Sequence, residues 1–182
     1  KIVIDMSSIS PMETKVFAKK INALGCEYVD APVSGGQAGA ENGKLTVMVG
    51  GDAAAFATAE PVIRSYAHNV KLLGPAGSGQ LTKMVNQIAI VGLVQTLAEG
   101  LNFAMRAGLD AKKVIDVISK GAAQSWQMDN RGPTMVDDKF NFGFATDWMR
   151  KDLQICLDEA RRNGALLPVT AIIEQYYGKL QE

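Results

Sequence analysis

The sequence predicts an α/β layer followed by an all-helical domain, the two joined through one long central helix. Three observations carry this. Strand-like and helix-like segments alternate up to Leu73. No convincing strand follows Gly77. Between them, Gly77-Ser78-Gly79-Gln80-Leu81-Thr82-Lys83-Met84-Val85-Asn86-Gln87 starts polar and glycine-bearing, then runs into the apolar Ile88–Val94, with no proline from Ala76 to Gly132. That pattern predicts a helix from about Gly77 to about Ala107, sunk into a core. At about 1.5 Å per residue it spans roughly 45 Å. The expected division is 1–74 for the α/β part and 75–182 for the helical part.

The elements follow in order. Lys1-Ile2-Val3-Ile4-Asp5 reads as a buried strand, without a start methionine. A chain rarely opens on a core strand, so a further segment is expected before Lys1. Ser10-Pro11 with Glu13 reads as a capping box opening a helix that runs to Leu24 and stops at Gly25. Glu27–Val33 is a second strand, emptying into the loop Ser34-Gly35-Gly36-Gln37-Ala38-Gly39. Leu45–Gly51 is a third strand, and Asp52 caps a helix over Ala53–Tyr66 that is expected to break near Pro61. Ser65–Asn69 is read as a turn and Val70–Leu73 as a fourth strand. In the helical part, Leu109-Asp110 starts a helix to Lys120, and Gln124–Asp138 is expected to be broken around Pro133. Lys139–Phe144 is an aromatic loop, Asp147 caps a helix from Trp148 to Asn163, and a last helix follows Pro168.

Composition narrows the function. With 182 residues, 47% hydrophobic and 21% charged, the balance is that of a soluble globular protein. Nineteen basic and nineteen acidic residues give zero formal charge, and no basic stretch of the kind nucleic acid needs is present. No continuous apolar run approaches the about eighteen residues of a membrane helix, so neither nucleic acid nor membrane is expected as a partner. Cys26 and Cys156 have no metal-like or redox spacing and read as free thiols of a reducing, cytoplasmic compartment. The single histidine, His68, argues against both a Ser-His-Asp mechanism and a zinc site.

Four places carry chemistry. Lys83 falls in the second turn of the long helix, with Asn86 and Gln87 on the same face at i+3 and i+4. A helix N-terminus disfavours a cation, and so does partial burial. Both lower the pKa of Lys83 toward the range useful for proton transfer. Ser34-Gly35-Gly36, at a strand exit, offers backbone N–H groups and a hydroxyl to an anion such as a carboxylate. Lys151-Asp152, in the first turn of the Trp148 helix, reads by itself as a solvated ion pair. The glycines at Gly77 and Gly79 complete neither known phosphate motif. Thr82 stands where the last glycine of a dinucleotide loop belongs, and Thr82 precedes Lys83 where a phosphate loop has them reversed.

Asp30-Ala31-Pro32-Val33-Ser34-Gly35-Gly36, then Gly77-x-Gly79-x-x-x-Lys83-x-x-Asn86-Gln87, then Lys151-Asp152 resemble, in that order, the β-hydroxyacid dehydrogenase family. Its members include 3-hydroxyisobutyrate dehydrogenase and tartronate semialdehyde reductase. Asp5-Met6-Ser7-Ser8-Ile9-Ser10-Pro11 resembles the family too. The resemblance implies a Rossmann-type domain joined to a helical one, NAD or NADP as cofactor, a homo-oligomer, and reversible conversion of a small 3-hydroxy acid to its semialdehyde. By motif position it implies Lys83 as general acid/base, with Ser34, Gly35, Gly36 and Asn86 on the substrate. It places Ser8 and Lys151 on the cofactor, with Asp152 close by. The family's G-x-G-x-x-G loop belongs before Lys1, so the chain is expected to lack the first half of its nucleotide-binding domain and to be inactive alone. Asn86 stands where 6-phosphogluconate dehydrogenases carry histidine, which argues against decarboxylation. The alternative reading is a non-catalytic binding or dimerisation module of the same fold.

Overall fold

The computed structural model describes residues 1–181. Its first part is a five-stranded mixed sheet with three helices. The elements are β1 (Ile2–Asp5), α1 (Pro11–Ala23), β2 (Glu27–Asp30), β3 (Val33–Ser34), α2 (Gly36–Glu41), β4 (Leu45–Gly51), α3 (Ala53–Ile63) and β5 (Ala67–Leu72). The second part is helical throughout: α4 (Ser78–Arg106), α5 (Ala111–Ile118), α6 (Trp126–Val136), α7 (Thr146–Asn163) and α8 (Pro168–Lys179).

β4 is the centre of the sheet. It pairs in parallel with β5 along one edge and antiparallel with β2 and then β3 along the other. The antiparallel register is constant through both pairings, with Val29 opposite Gly51, Asp30 opposite Gly50, Val33 opposite Val47 and Ser34 opposite Thr46. The expected strand Glu27–Val33 is therefore one run interrupted at Ala31-Pro32, where proline has no N–H to give the ladder. β1 adds in parallel to β2. Val29, Val47, Val49, Ala59 and Ile63 form the core under α3.

Several local expectations are corrected. β1 is only partly buried, with Val3 exposed. Ser34-Gly35-Gly36 does not empty into a loop: Gly35 caps the short helix α2. Neither Pro61 nor Pro133 breaks its helix: α3 runs on to Ile63 and α6 to Val136, each without the one hydrogen bond that the proline nitrogen cannot donate. His68 sits on β5 instead of a turn. Asp147 is inside the first turn of α7, whose cap residue is Ala145. Ser10 does cap α1, accepting from the Met12 N–H at 3.2 Å.

The central helix has 29 residues and is as long as expected, but it is not sunk into a core. Its buried positions (Met84, Gln87, Val91, Leu97, Leu101 and Ala104) form one stripe, while Val85, Leu93 and Phe103 are exposed. By length and composition it is also apolar enough to cross a membrane, which a search for unbroken apolar runs did not register. In the fold it packs against β4 at its start and against α6, α7 and α8 further along.

The start of α4 is wedged against the sheet. An added Cβ at Gly79 would lie 2.4 Å from the Met48 carbonyl oxygen and 2.8 Å from Asp30 Oδ2. At Gly92, in the middle of the same helix, it would meet nothing within 4 Å. Gly79→Ala is therefore expected to lower stability by about 2 kcal/mol or more through overpacking. Gly92→Ala should raise it by about 0.5–1 kcal/mol. Urea unfolding of both variants checks the pair, and equal effects would show that the helix start is not tightly seated.

Candidate active site

Asp30, at the end of β2, anchors the site. Its side chain is fully buried and accepts from the Gly77 N–H at 2.8 Å and the Gln80 N–H at 3.0 Å. A carboxylate thus fills the anion-favouring N-terminus of α4. Burial pushes the Asp30 carboxyl above the usual range, and the backbone N–H donors oppose that shift. Gly77 adopts φ 93°, left-handed backbone that lets the chain turn into this cap.

Lys83 follows on the same helix. Its Nζ donates to the Val33 carbonyl at 2.9 Å, one residue before Ser34. Burial is the main cause holding the Lys83 ammonium below its ordinary pKa; Asp152 opposes this and Lys151 adds to it. The expected direction of the shift is right. Burial, one of the two causes expected from the sequence, leads it.

Asp152 comes from α7 and is buried, in the second turn and not the first, so the solvated-pair reading of Lys151-Asp152 fails. Its Oδ2 accepts from Gln87 Nε2 at 2.6 Å and its Oδ1 pairs with Lys151 Nζ at 2.9 Å. Lys151 Nζ also donates to the Ser8 carbonyl at 2.7 Å. Gln80 grips the same loop from α4, donating to the Ser7 carbonyl at 2.7 Å and accepting from the Ile9 N–H at 3.1 Å. Asp5 shapes that loop from below, accepting from the Ser7 N–H at 3.0 Å and the Tyr28 hydroxyl at 2.8 Å.

These contacts enclose a small cleft between the β1 end and the helices α4 and α7. Ser8, Gln80, Lys83, Gln87 and Asp152 supply its polar wall, while Ile9, Met84 and Ile155 supply the apolar one. Cys156 lies at its back with a thiol pushed up to about 12 by burial, which leaves it a packing group. Of the residues singled out in the sequence, Ser8, Lys83 and Asp152 line the cleft, and Lys151 braces its rim. Ser34, Gly35, Gly36 and Asn86 stand outside the lining: the first three at the β3–α2 junction behind Val33, and Asn86 donating to Gln87 Oε1 at 2.9 Å. Asp30 and Gln80 carry more of the site than the sequence reading assigned them. The signal was a buried-strand aspartate and a helix-start glutamine inside the quoted motifs.

Residues 77–182 match the family model described as NAD-binding of NADP-dependent 3-hydroxyisobutyrate dehydrogenase, and residues 1–74 match the NAD binding domain of 6-phosphogluconate dehydrogenase. The chain belongs to the 3-hydroxyisobutyrate dehydrogenase family. It is 61% identical over 180 residues to an uncharacterized oxidoreductase of Shewanella frigidimarina, covering 99% of this chain and 62% of that protein. It is 41% identical over 177 residues to 2-hydroxy-3-oxopropionate reductase of Escherichia coli, covering 97% of this chain and 61% of that protein. Among solved structures, 3-hydroxyisobutyrate dehydrogenase of Mycobacterium tuberculosis with L-serine superposes with a TM-score of 0.89 at 31% identity, over 98% of this chain and 64% of that one. The chain thus spans about three fifths of the length of these relatives. The family is one of NAD(P)-dependent 3-hydroxyacid dehydrogenases, so its nucleotide is NAD or NADP.

The charges around Lys83 fix the direction of two substitutions. Asp152→Asn removes a raising influence and should lower the Lys83 titration midpoint further, while Lys151→Met removes a lowering one and should raise it. NMR titration of protein carrying ¹³Cε-labelled lysine checks this. Two shifts of the same sign would disprove the arrangement.

Proposed function

We propose that this chain carries the proton-transfer and substrate-orienting part of an NAD(P)-dependent oxidoreductase, one that interconverts a small 3-hydroxy acid and its semialdehyde. Substrates of the 3-hydroxyisobutyrate or tartronate semialdehyde type fit. The observation that carries the reading is the 2.9 Å bond from Lys83 Nζ to the Val33 carbonyl. It brings the half-buried amine that lines the cleft to Val33, fifty residues away in sequence and next to Ser34-Gly35-Gly36.

The roles follow from the chemistry. The first turn of α2 leaves backbone N–H groups without intrahelical partners. Gly35 and Gly36, at φ 130° and 59°, have no side chain to block their approach to a carboxylate. Ser34 adds a hydroxyl donor. Together they orient the acid end of the substrate. A bound NAD(P) would supply the hydride chemistry at the substrate carbon. Neutral Lys83 takes the hydroxyl proton in oxidation, and its ammonium polarises the carbonyl and returns the proton in reduction. Burial favours the neutral amine that the oxidative direction requires.

Ile9, Met84 and Ile155 keep water from the reacting carbon. Ser8 and Asp152 lie on the cofactor side of the cleft, with Lys151 holding the Ser8 carbonyl, and Asn86 belongs to the substrate side. L-serine, present in the related mycobacterial structure, is itself a small 3-hydroxy acid. The reading extends to a cytoplasmic homo-oligomer. Free Cys26 and Cys156 support the compartment, and the exposed Val85, Leu93 and Phe103 on α4 support the assembly.

Two variants of the intact protein test this. Lys83→Ala should lower kcat by about 10²-fold or more with little change in cofactor affinity. Lys83→Arg should fail equally, because guanidinium stays protonated. The acidic limb of the pH profile for alcohol oxidation, where a group must lose its proton, should disappear with the lysine. Retention of kcat within about threefold in Lys83→Ala would make the lysine structural and end the assignment. Ser34→Ala should raise KM for the aldehyde acid more than for the cofactor, and the opposite split would remove Ser34 from the substrate.

A further inference from the structure

Three polar side chains run in file behind Lys83. Asp152 Oδ2 accepts from Gln87 Nε2 at 2.6 Å, and Gln87 Oε1 accepts from Asn86 Nδ2 at 2.9 Å. The direction of this chain is set at one end. A carboxylate only accepts, and Asp152 is paired through its other oxygen with Lys151. Gln87 must therefore turn its nitrogen toward Asp152. The reverse amide would bring two oxygens within 2.6 Å at a side chain only 2% exposed, where little water could relieve them. With its nitrogen committed, Gln87 can offer Asn86 only an acceptor. Asn86 in turn must give its nitrogen to Gln87, and Asn86 Oδ1 has no hydrogen-bond partner among the described residues.

Lys83 and Asn86 share one face of α4 at i and i+3. Resting on the proton-transfer role of Lys83, we infer that Gln87 is a positioning residue. It relays the polarity of the Asp152–Lys151 pair to Asn86 and keeps the Asn86 carbonyl as a second acceptor for the Lys83 amine. Lys83 Nζ already donates to the Val33 carbonyl. A neutral amine has two N–H bonds and one lone pair. With one N–H on Val33 and the other on Asn86, the lone pair is left for the substrate hydroxyl proton. After transfer the hydroxyl O–H bond is broken, the new N–H bond lies along the former lone pair, and both carbonyls stabilise the ammonium.

The charged and titratable groups facing Lys83 from the elements packed on it are Asp152, Lys151 and Cys156 of α7, with Asp30 of β2 at the helix start below. Changing Asp152 would alter both the relay and the local charge. Changing Gln87 adds or removes no charge but takes a donor from Asp152, whereas changing Asn86 cuts the relay and leaves the Gln87–Asp152 bond in place.

The experiment is a titration of Lys83 in the intact protein carrying ¹³Cε-labelled lysine, for Gln87→Met, Asn86→Leu and the double variant. Gln87→Met keeps an apolar side chain of similar length beside Met149, and Asn86 is only half-buried, so at least one of the pair is expected to fold. Loss of an acceptor for the ammonium should lower the Lys83 midpoint by about one pH unit in each single variant. The double variant should go no lower than either single, because both cut the same chain. An unchanged midpoint in the folded single variants, or a double variant equal to the sum of two independent shifts, overturns the relay.

The reading needs no turnover, so it stands or falls separately from the proposed oxidoreductase activity. Where a 3-hydroxy acid is oxidised, Gln87→Met should move the acidic limb of kcat downward in pH by the same amount and leave the cofactor KM within twofold. A limb that stays in place while the midpoint moves would also sink the assignment.

Discussion

The carboxylate of Asp30 on the first turn of α4 is the contact from which the rest of the site is built. It joins the end of a core strand to the start of a 29-residue helix through two buried backbone N–H groups. A helix N-terminus buried without an acceptor leaves donors unpaired, at a cost of about 1–3 kcal/mol each. The geometry needs two glycines as well as the acid. At Gly50 an added Cβ would sit 2.6 Å from Asp30 Oδ1, and at Gly79 it would collide with the Met48 carbonyl. Strand, acid and helix therefore form a single rigid joint, and Lys83 is carried one turn beyond it.

That joint also fixes the surroundings of the Lys83 ammonium. A helix start left open would present partial positive charge to the ammonium. Here Asp30 takes up two of the helix-start N–H groups, and desolvation is the leading influence on Lys83, trimmed by Asp152 and reinforced by Lys151. The three act from different elements. A shift made of opposing contributions can be tuned by small movements of α7 relative to α4, whereas a lysine merely buried in apolar surroundings could be tuned only by repacking. The loop Ser7–Ile9 is tied into the same arrangement, since Gln80 and Lys151 reach it from α4 and α7 respectively.

The elements were legible in the sequence because they depend on local rules. β4 and the long helix lie where their apolar patterns and glycine boundaries put them. The misreadings have one physical origin. Pro61 and Pro133 read locally as breakers, but packing around α3 and α6 carries each helix past the one hydrogen bond its proline cannot make. Lys151-Asp152 was legible as a pair but not as a half-buried one, because Asp152 is buried where α7 packs on α4 and its partner there, Gln87, is 65 residues away. The same holds for Asp30, whose partners lie at Gly77 and Gln80. Motif letters marked where the chemistry is. Tertiary contacts of this range determine which atom faces which, and no local pattern encodes them.

The central helix shows the limit from the other side. Its apolar run predicts burial all round, and the fold leaves Val85, Leu93 and Phe103 exposed. Hydrophobic pattern states a demand for burial; the neighbours present decide how much of it is met. Polar pattern behaves differently. Gln80, Gln87 and Asp152 are among the most buried polar residues, and each is paired. Leaving such groups unpaired is penalised more steeply than leaving a valine in water. The polar residues of the quoted motifs therefore fix the position of the cleft more tightly than the apolar ones, and they do so through hydrogen bonds whose donors and acceptors cannot be exchanged.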